Sequence, residues 1–100
     1  MDLGTAIKNA RQQKDIKQIV LAQKCKISQT YLSQIENNVK EPNISTLRII
    51  AKNLDIPLPV LFFLALDVND IASEKRSAFK HLEPSIKSMI SEFFISRTSL

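Results

Sequence analysis

Five uncharged polar side chains share one face of a short predicted helix. They are Gln29, Thr30, Ser33, Gln34 and Asn37, at helical offsets of zero, one, four, five and eight. Amides can donate and accept at an adenine edge, hydroxyls can do either, and a threonine methyl can contact a thymine methyl. A helix face that only meets water more often carries Lys and Glu, which are better helix formers. The face therefore favours contact with base edges in a DNA major groove.

Apolar residues at helical spacing lie behind this face and in the segment before it. They are Leu21, Ala22, Cys25, Ile27, Leu32 and Ile35. The small side chain of Ala22 allows two helices to approach closely, and the hydroxyl of Ser28 can cap the second helix. Residues 18 to 37 are thus predicted to form two short helices joined by a tight turn, the second apolar behind and polar in front.

This segment resembles the helix-turn-helix of lambda-repressor-like bacterial and phage regulators. It is most similar to the small controller regulators of restriction-modification systems, which share a similar recognition-helix string and an apolar fifth helix with phenylalanines. The resemblance covers about residues 3 to 66 and rests on Gln18, Leu21, Ala22, Ile27, Tyr31, Leu32, Ile35, Glu36 and Asn37, with Arg11 upstream and Pro42, Leu47 and Leu54 downstream. One position departs, because Lys26 stands in the turn where the family usually has glycine, and a left-handed backbone there has a steric cost.

The resemblance implies an all-α fold with a five-helix DNA-binding domain over residues 1–66, followed by a helical extension over 67–100. Base contacts are assigned to Gln29, Thr30, Ser33 and Gln34, and phosphate contacts to Lys17, Gln18, Tyr31, Asn37 and Lys40. In the family the counterpart of Arg11 pairs with the acid at the position of Glu36, which implies a partly buried ion pair. The alternative is two unrelated surface charges.

The remaining helices follow from apolar spacing and from prolines. Helix one is predicted from about Leu3 to Lys14, a fourth helix is capped by Ser45, and a fifth begins at Pro59. The joint to the extension is expected at residues 67–70, followed by helices from about 69 to 82 and from Pro84 onward. The last of these carries an apolar stripe of Ile86, Met89, Ile90, Phe93 and Phe94.

The fifth helix is apolar on nearly every side, so something must cover its outer face. The chain's own tail and a symmetry mate are both candidates. Because one recognition helix contacts few base pairs, a homodimer on a palindromic DNA site is favoured. The candidate interface residues are Val60, Leu61, Phe62, Phe63, Leu64, Phe93 and Phe94. An antitoxin or adaptor whose C-terminal helices bind a partner protein is the alternative.

Composition argues against the other classes of function. The net charge of +4 lies entirely within residues 1–66, which suits attraction to phosphate. Gly4 is the only glycine, so a glycine-rich phosphate loop is absent, and His81 and Cys25 are single residues of their kinds, too few for a conventional zinc site. We therefore expect no enzyme activity, no cofactor and no metal.

A membrane location is also disfavoured. The longest uncharged apolar run, residues 56–66, has eleven residues and two prolines, which is too short to cross a bilayer. The start of the chain does not have the pattern of a signal peptide, and the lone Cys25 allows no intrachain disulfide. The expectation is a cytoplasmic protein.

Overall fold

A computed structural model describes residues 1–95, in which every regular element is a helical one and none is a strand. The predicted all-α fold is confirmed, and none of the helices in this range is long and apolar enough to cross a membrane. The helices are α1 (Leu3–Gln13), α2 (Gln18–Cys25), α3 (Gln29–Glu36), α4 (Ile44–Leu54), α5 (Leu58–Ala65) and α6 (Arg76–Ile90). Short 3₁₀ turns at Val68–Asp70 and Ser73–Lys75 precede α6, and a π-helical turn at Ser91–Ile95 follows it.

The core is formed where the first five helices meet. Each contributes one large side chain with no exposed surface, and these are Ile7, Leu21, Leu32, Ile50 and Leu61. Burying such a side chain contributes roughly 1.5–3 kcal/mol. Because every one of the five helices supplies a member of this cluster, α2 and α3 are held as part of a single packed unit.

Side chains cap three of these helices at their N-termini. Asp2, Ser28 and Asn43 accept hydrogen bonds from backbone amides in the first turns of α1, α3 and α4. The cap of α4 is thus Asn43 rather than the predicted Ser45, which lies inside the first turn. The Asn43 side chain accepts from the Thr46 amide at 2.8 Å, and an Asn cap is at least as favourable as a Ser cap.

The C-terminal extension is helical, but its helices do not have the predicted bounds. Residues from Arg76 to Ile90 form one helix, and Pro84 lies inside it instead of starting a new one. A proline in a helix removes the hydrogen bond to the carbonyl four residues earlier, here that of Lys80. Both Lys80 and Pro84 lie at exposed positions of the helix. The segment expected to begin a helix near residue 69 forms the two 3₁₀ turns instead.

Helices α1 and α3 approach so closely at Gly4 that no side chain fits there. A Cβ atom on Gly4 would lie 2.5 Å from the carbonyl oxygen of Ile35 and 2.6 Å from the side-chain oxygen of Asn38. The Gly4 amide also donates to that Asn38 oxygen at 3.1 Å. The glycine therefore fixes the distance between α1 and the C-terminal end of α3.

We expect Gly4→Ala to lower the free energy of unfolding by about 2 kcal/mol, because the added methyl group must push two helices apart. The higher helix propensity of Ala offsets only part of that cost. Chemical denaturation measures the change, and Gln12→Ala, at an exposed position of α1, serves as the control that should leave stability nearly unchanged. A Gly4→Ala variant as stable as the parent would show that this contact does not constrain the helices.

The turn between α2 and α3 contains a strained residue. Lys26 has φ 57° and ψ 39°, the left-handed conformation, and it closes the C-terminus of α2 with its backbone amide. The left-handed conformation costs a residue with a side chain roughly 1–2 kcal/mol in free energy, whereas its cost for glycine is small. The turn thus has the backbone shape that usually selects glycine, although a lysine occupies it.

Lys26→Gly should therefore stabilise the protein by about 1 kcal/mol, after allowing for the entropy that glycine adds to the unfolded chain. In a domain of this size that raises Tm by roughly 4–8 °C. The matched control is Lys24→Gly, also exposed but inside α2, which should lower Tm. Thermal shifts of the same sign in both variants would refute the strain at Lys26.

Candidate nucleic-acid interface

The exposed side of α3 forms a shallow polar depression of about 320 Å³. Its lining consists of Gln18, Gln29, Thr30, Ser33 and Gln34. The first of these belongs to the start of α2, and the other four are the residues predicted from the sequence to contact bases. All five are uncharged, and each is at least partly open to solvent. The depression therefore presents hydrogen-bond donors and acceptors without a fixed charge.

A buried ion pair supports this surface from behind. Arg11 of α1 and Glu36 of α3 form a two-pronged contact, with Nε to Oε2 at 2.8 Å and Nη2 to Oε1 at 3.0 Å. Both residues are buried, Glu36 at 3% exposure. Arg11 also donates to the Ile16 carbonyl at 2.9 Å, which ties the loop after α1 to the pair. The pairing implied by the resemblance thus exists as an almost solvent-free contact.

The ion pair continues through two glutamine amides to the surface. Gln18 donates from Nε2 to Glu36 Oε1 at 3.0 Å, and its own oxygen accepts from Gln29 Nε2 at 3.4 Å. The second bond is long and exposed. The chain of contacts runs from α1 through α3 and α2 back to the first residue of α3. It orients the Gln18 amide, and through it Gln29, toward the depression.

The N-terminus of α2 differs from those of α1, α3 and α4. Lys17 precedes the helix without a side-chain cap, and the Gln18 side chain is engaged by Glu36 and Gln29. The first amides of a helix have no partner within the helix, and the dipole there attracts anions. An exposed lysine next to such amides suits a phosphate group.

The other residues assigned to phosphate contacts lie around the same face. Tyr31 is half-buried and packs against the core, whereas Asn37 and Lys40 are exposed. The Asn37 amide donates to the Ser33 hydroxyl at 3.4 Å. The backbone amide of Lys40 donates to the Gln34 carbonyl, which holds the loop close to the end of α3.

One exposed apolar side chain beside this face was not identified from the sequence. Val39 follows α3 in the same loop and is 69% exposed, and its amide donates to the Gln34 carbonyl at 2.8 Å. The preceding residue, Asn38, adopts a left-handed backbone, which turns the chain out of the helix. The signal in the sequence was an aliphatic residue flanked by polar residues. A single residue of this kind forms no periodic pattern.

The residues predicted for a dimer interface do not form one uniform surface. Leu61 is fully buried within the subunit. Val60, Phe62, Phe63, Leu64 and Phe94 are partly buried and pack against the core. Phe93 differs from all of them, because two thirds of it is exposed. Helix α5 is thus covered largely by its own chain.

The side chains that could serve other chemistry are dispersed. Cys25 is buried on α2, and its burial raises the pKa of the thiol, which keeps it in the unreactive protonated form. His81 is exposed on α6. Within residues 1–95 no group of three His, Cys, Asp or Glu side chains comes together as a metal site.

Comparison with known proteins identifies the same region. The family model described as Helix-turn-helix matches residues 7–61, more than half of the chain. The chain is 37% identical over 76 residues to the ImmF control region 10 kDa protein of Bacillus phage phi105, covering 76% of this chain and 84% of that protein. It is 34% identical over 61 residues to the Immunity repressor protein of the same phage, covering 61% of this chain and 42% of that protein. No solved structure matches the chain significantly.

We expect Arg11→Ala to lower the free energy of unfolding by about 3 kcal/mol, because it leaves the Glu36 carboxylate buried and unpaired. Denaturant titration measures this loss, with Arg48→Ala on the exposed side of α4 as the control that should change little. Replacing both partners, as Arg11→Met with Glu36→Leu, should recover most of the stability because no isolated charge remains. Equal stability of Arg11→Ala and the parent would contradict a stabilising role for the pair.

Proposed function

The chain belongs to the helix-turn-helix family of DNA-binding regulators, and on that basis we propose that it binds duplex DNA sequence-specifically with α3 in the major groove. The observation that carries the proposal is the depression lined by Gln29, Thr30, Ser33 and Gln34. These side chains are uncharged, at least partly exposed and backed by a buried ion pair. A major groove admits one helix, whose first turn lies deepest.

The assignment of base contacts follows from position along α3. Gln29 and Thr30 belong to the first turn and are exposed, so they meet base edges first. Gln29 is also the residue that Gln18 orients. Ser33 and Gln34 lie one turn later on the same side and extend the contact. Amide and hydroxyl groups suit this role because they both donate and accept.

The phosphate contacts are assigned to the rim of the depression. The uncapped N-terminus of α2, with Lys17 and Gln18, supports one phosphate site. Tyr31, Asn37 and Lys40 supply further contacts around α3. Such contacts fix the position of the helix on the duplex without selecting its sequence, which the base contacts do.

A homodimer on a palindromic operator completes the proposal. Helix α3 has eight residues and spans only a few base pairs, so a single copy distinguishes few sites. Two copies related by a two-fold axis contact half-sites roughly 34 Å apart, one turn of the double helix. The name of one phage relative, the Immunity repressor protein, supports repression as the regulatory outcome.

Selection of binding sites from random duplexes tests the proposal. The parent should enrich a palindromic sequence, and Gln29→Ala or Thr30→Ala should lose preference at particular base pairs, weakening binding to the selected site by about 10-fold or more. Lys40→Ala should weaken binding to all duplexes alike and reduce its salt dependence. Gln12→Ala on α1 replaces an exposed glutamine away from α3 and should leave binding unchanged.

The outcomes separate the assignments. Uniform weakening by Gln29→Ala and Thr30→Ala on every duplex would move these residues from base contacts to phosphate contacts. Failure of the parent to bind any duplex at low ionic strength would overturn the proposed function.

A further inference from the structure

Val39 is the most exposed large apolar side chain in the described part of the chain, at 69%. It belongs to the loop after α3, between two residues assigned to phosphate contacts, Asn37 and Lys40. The side chain neither belongs to the hydrophobic core nor packs against it. It therefore adds little to the stability of the subunit and remains available to a molecule bound at α3.

The backbone at Val39 is held by a Schellman motif at the end of α3. The Val39 amide donates to the Gln34 carbonyl at 2.8 Å. The Asn38 amide donates to the Ile35 carbonyl at 3.1 Å, and Asn38 has the left-handed φ of 58° that the motif requires. The Asn38 side-chain oxygen also accepts from the Gly4 amide of α1. Val39 thus projects from a fixed backbone, so covering its side chain costs little conformational entropy.

The usual partner of an apolar residue at this position is missing within the chain. In a Schellman motif the residue after the left-handed one often packs an apolar side chain against the residue five positions earlier. That residue is Gln34 here, whose amide side chain lines the polar depression. At this end of α3 the depression is therefore bordered by an aliphatic side chain that its own chain leaves exposed.

The length of α3 suits contact with one major groove at both of its ends. Eight residues rise about 12 Å along the helix axis, and a B-DNA major groove is roughly 12 Å wide. When Gln29 and Thr30 meet base edges in the first turn, Gln34 and Val39 lie at the opposite end, about three base pairs away. This step rests on the proposed function, because it requires α3 to lie in the groove.

We propose that Val39 contacts the C5-methyl group of a pyrimidine in each half-site and thereby selects thymine at that position. The methyl group is the apolar feature that thymine presents in the major groove, where the other features are hydrogen-bond donors and acceptors. A valine side chain can neither donate nor accept a hydrogen bond, so the methyl group is the partner that it fits. 5-Methylcytosine presents the same group and is recognised in the same way.

Replacement of thymine by uracil tests the contact, because uracil lacks only the C5-methyl group. In the duplex that the parent selects, thymines are replaced one at a time, and binding of the full chain is measured by fluorescence anisotropy. One replacement should weaken binding of the parent about 4-fold, the effect of one buried methyl group. Val39→Ala and Val39→Ser should bind the thymine and uracil duplexes alike at that position, whereas Val39→Ile should keep the uracil penalty.

Two control variants separate Val39 from other sources of a methyl preference. Thr30→Ser removes the methyl group from the first turn of α3 and should leave the uracil penalty at the Val39 position unchanged. Ile49→Ala shortens a 45% exposed aliphatic side chain on α4 and should also keep that penalty. Because Val39 is exposed, circular dichroism and Tm of Val39→Ala should remain close to those of the parent.

Methylated cytosine tests whether the methyl group itself is recognised. In a duplex with a C·G pair in place of the selected T·A pair, C5-methylation changes no hydrogen-bonding group of the base edge. It should raise the affinity of the parent about 4-fold and leave that of Val39→Ala unchanged. Absence of this gain in the parent would contradict the methyl contact.

The results that overturn this proposal differ from those that overturn the proposed function. An equal uracil penalty in the parent and in Val39→Ala, or no penalty at any thymine, would refute the role of Val39. Uniform weakening by Val39→Ala on all duplexes would refute it as well and assign the side chain to the sugar-phosphate backbone. In each of these cases the parent still binds its selected duplex, so the proposed function stands. Failure of the parent to bind any duplex would overturn both.

Discussion

The buried carboxylate of Glu36 is the constraint on which the arrangement of the first three helices depends. A charge removed from water is costly unless it is paired and hydrogen-bonded. Arg11 from α1 supplies the pairing and Gln18 from α2 supplies a further hydrogen bond. Since the carboxylate itself belongs to α3, none of these helices can move without leaving a buried charge unsatisfied. The polar face of α3 is thereby held at a fixed angle to the start of α2.

The two ends of α3 are fixed by different means. Ser28 caps its N-terminus, and at its C-terminus Asn38 turns the chain out through a left-handed backbone. The Asn38 side chain also bonds the Gly4 amide and the Asp2 carboxylate of α1. At its C-terminal end α3 packs directly against α1, because Gly4 has no side chain. The buried ion pair of Glu36 joins the two helices near the same end. Its outer face remains available for an external ligand.

Helix α6 divides its apolar residues between the body of the subunit and solvent. Ile90 is buried against the body, whereas Met89, the preceding residue, points into solvent. Adjacent residues differ by about 100° around a helix, so one helix can offer two apolar surfaces. The first stabilises the subunit. The second is exposed to solvent.

The sequence alone determined the all-α fold, the positions of the five core helices and the polar face of α3, because apolar periodicity and turn residues are local signals. Prediction of helix bounds from the sequence was less accurate where two local signals conflict. Proline can mark a helix start as well as an interruption, and Pro84 lies inside α6 at an exposed position.

Tertiary structure alone decided which apolar residues are buried within the subunit. The sequence placed Leu61 and Phe93 in one predicted interface, yet the first is fully buried and the second is two thirds exposed. It also decided that Gln18 bridges Glu36 and Gln29, a contact between residues far apart in the chain. Burial and long-range hydrogen bonds depend on how the helices pack together, and no local pattern of residues specifies that packing.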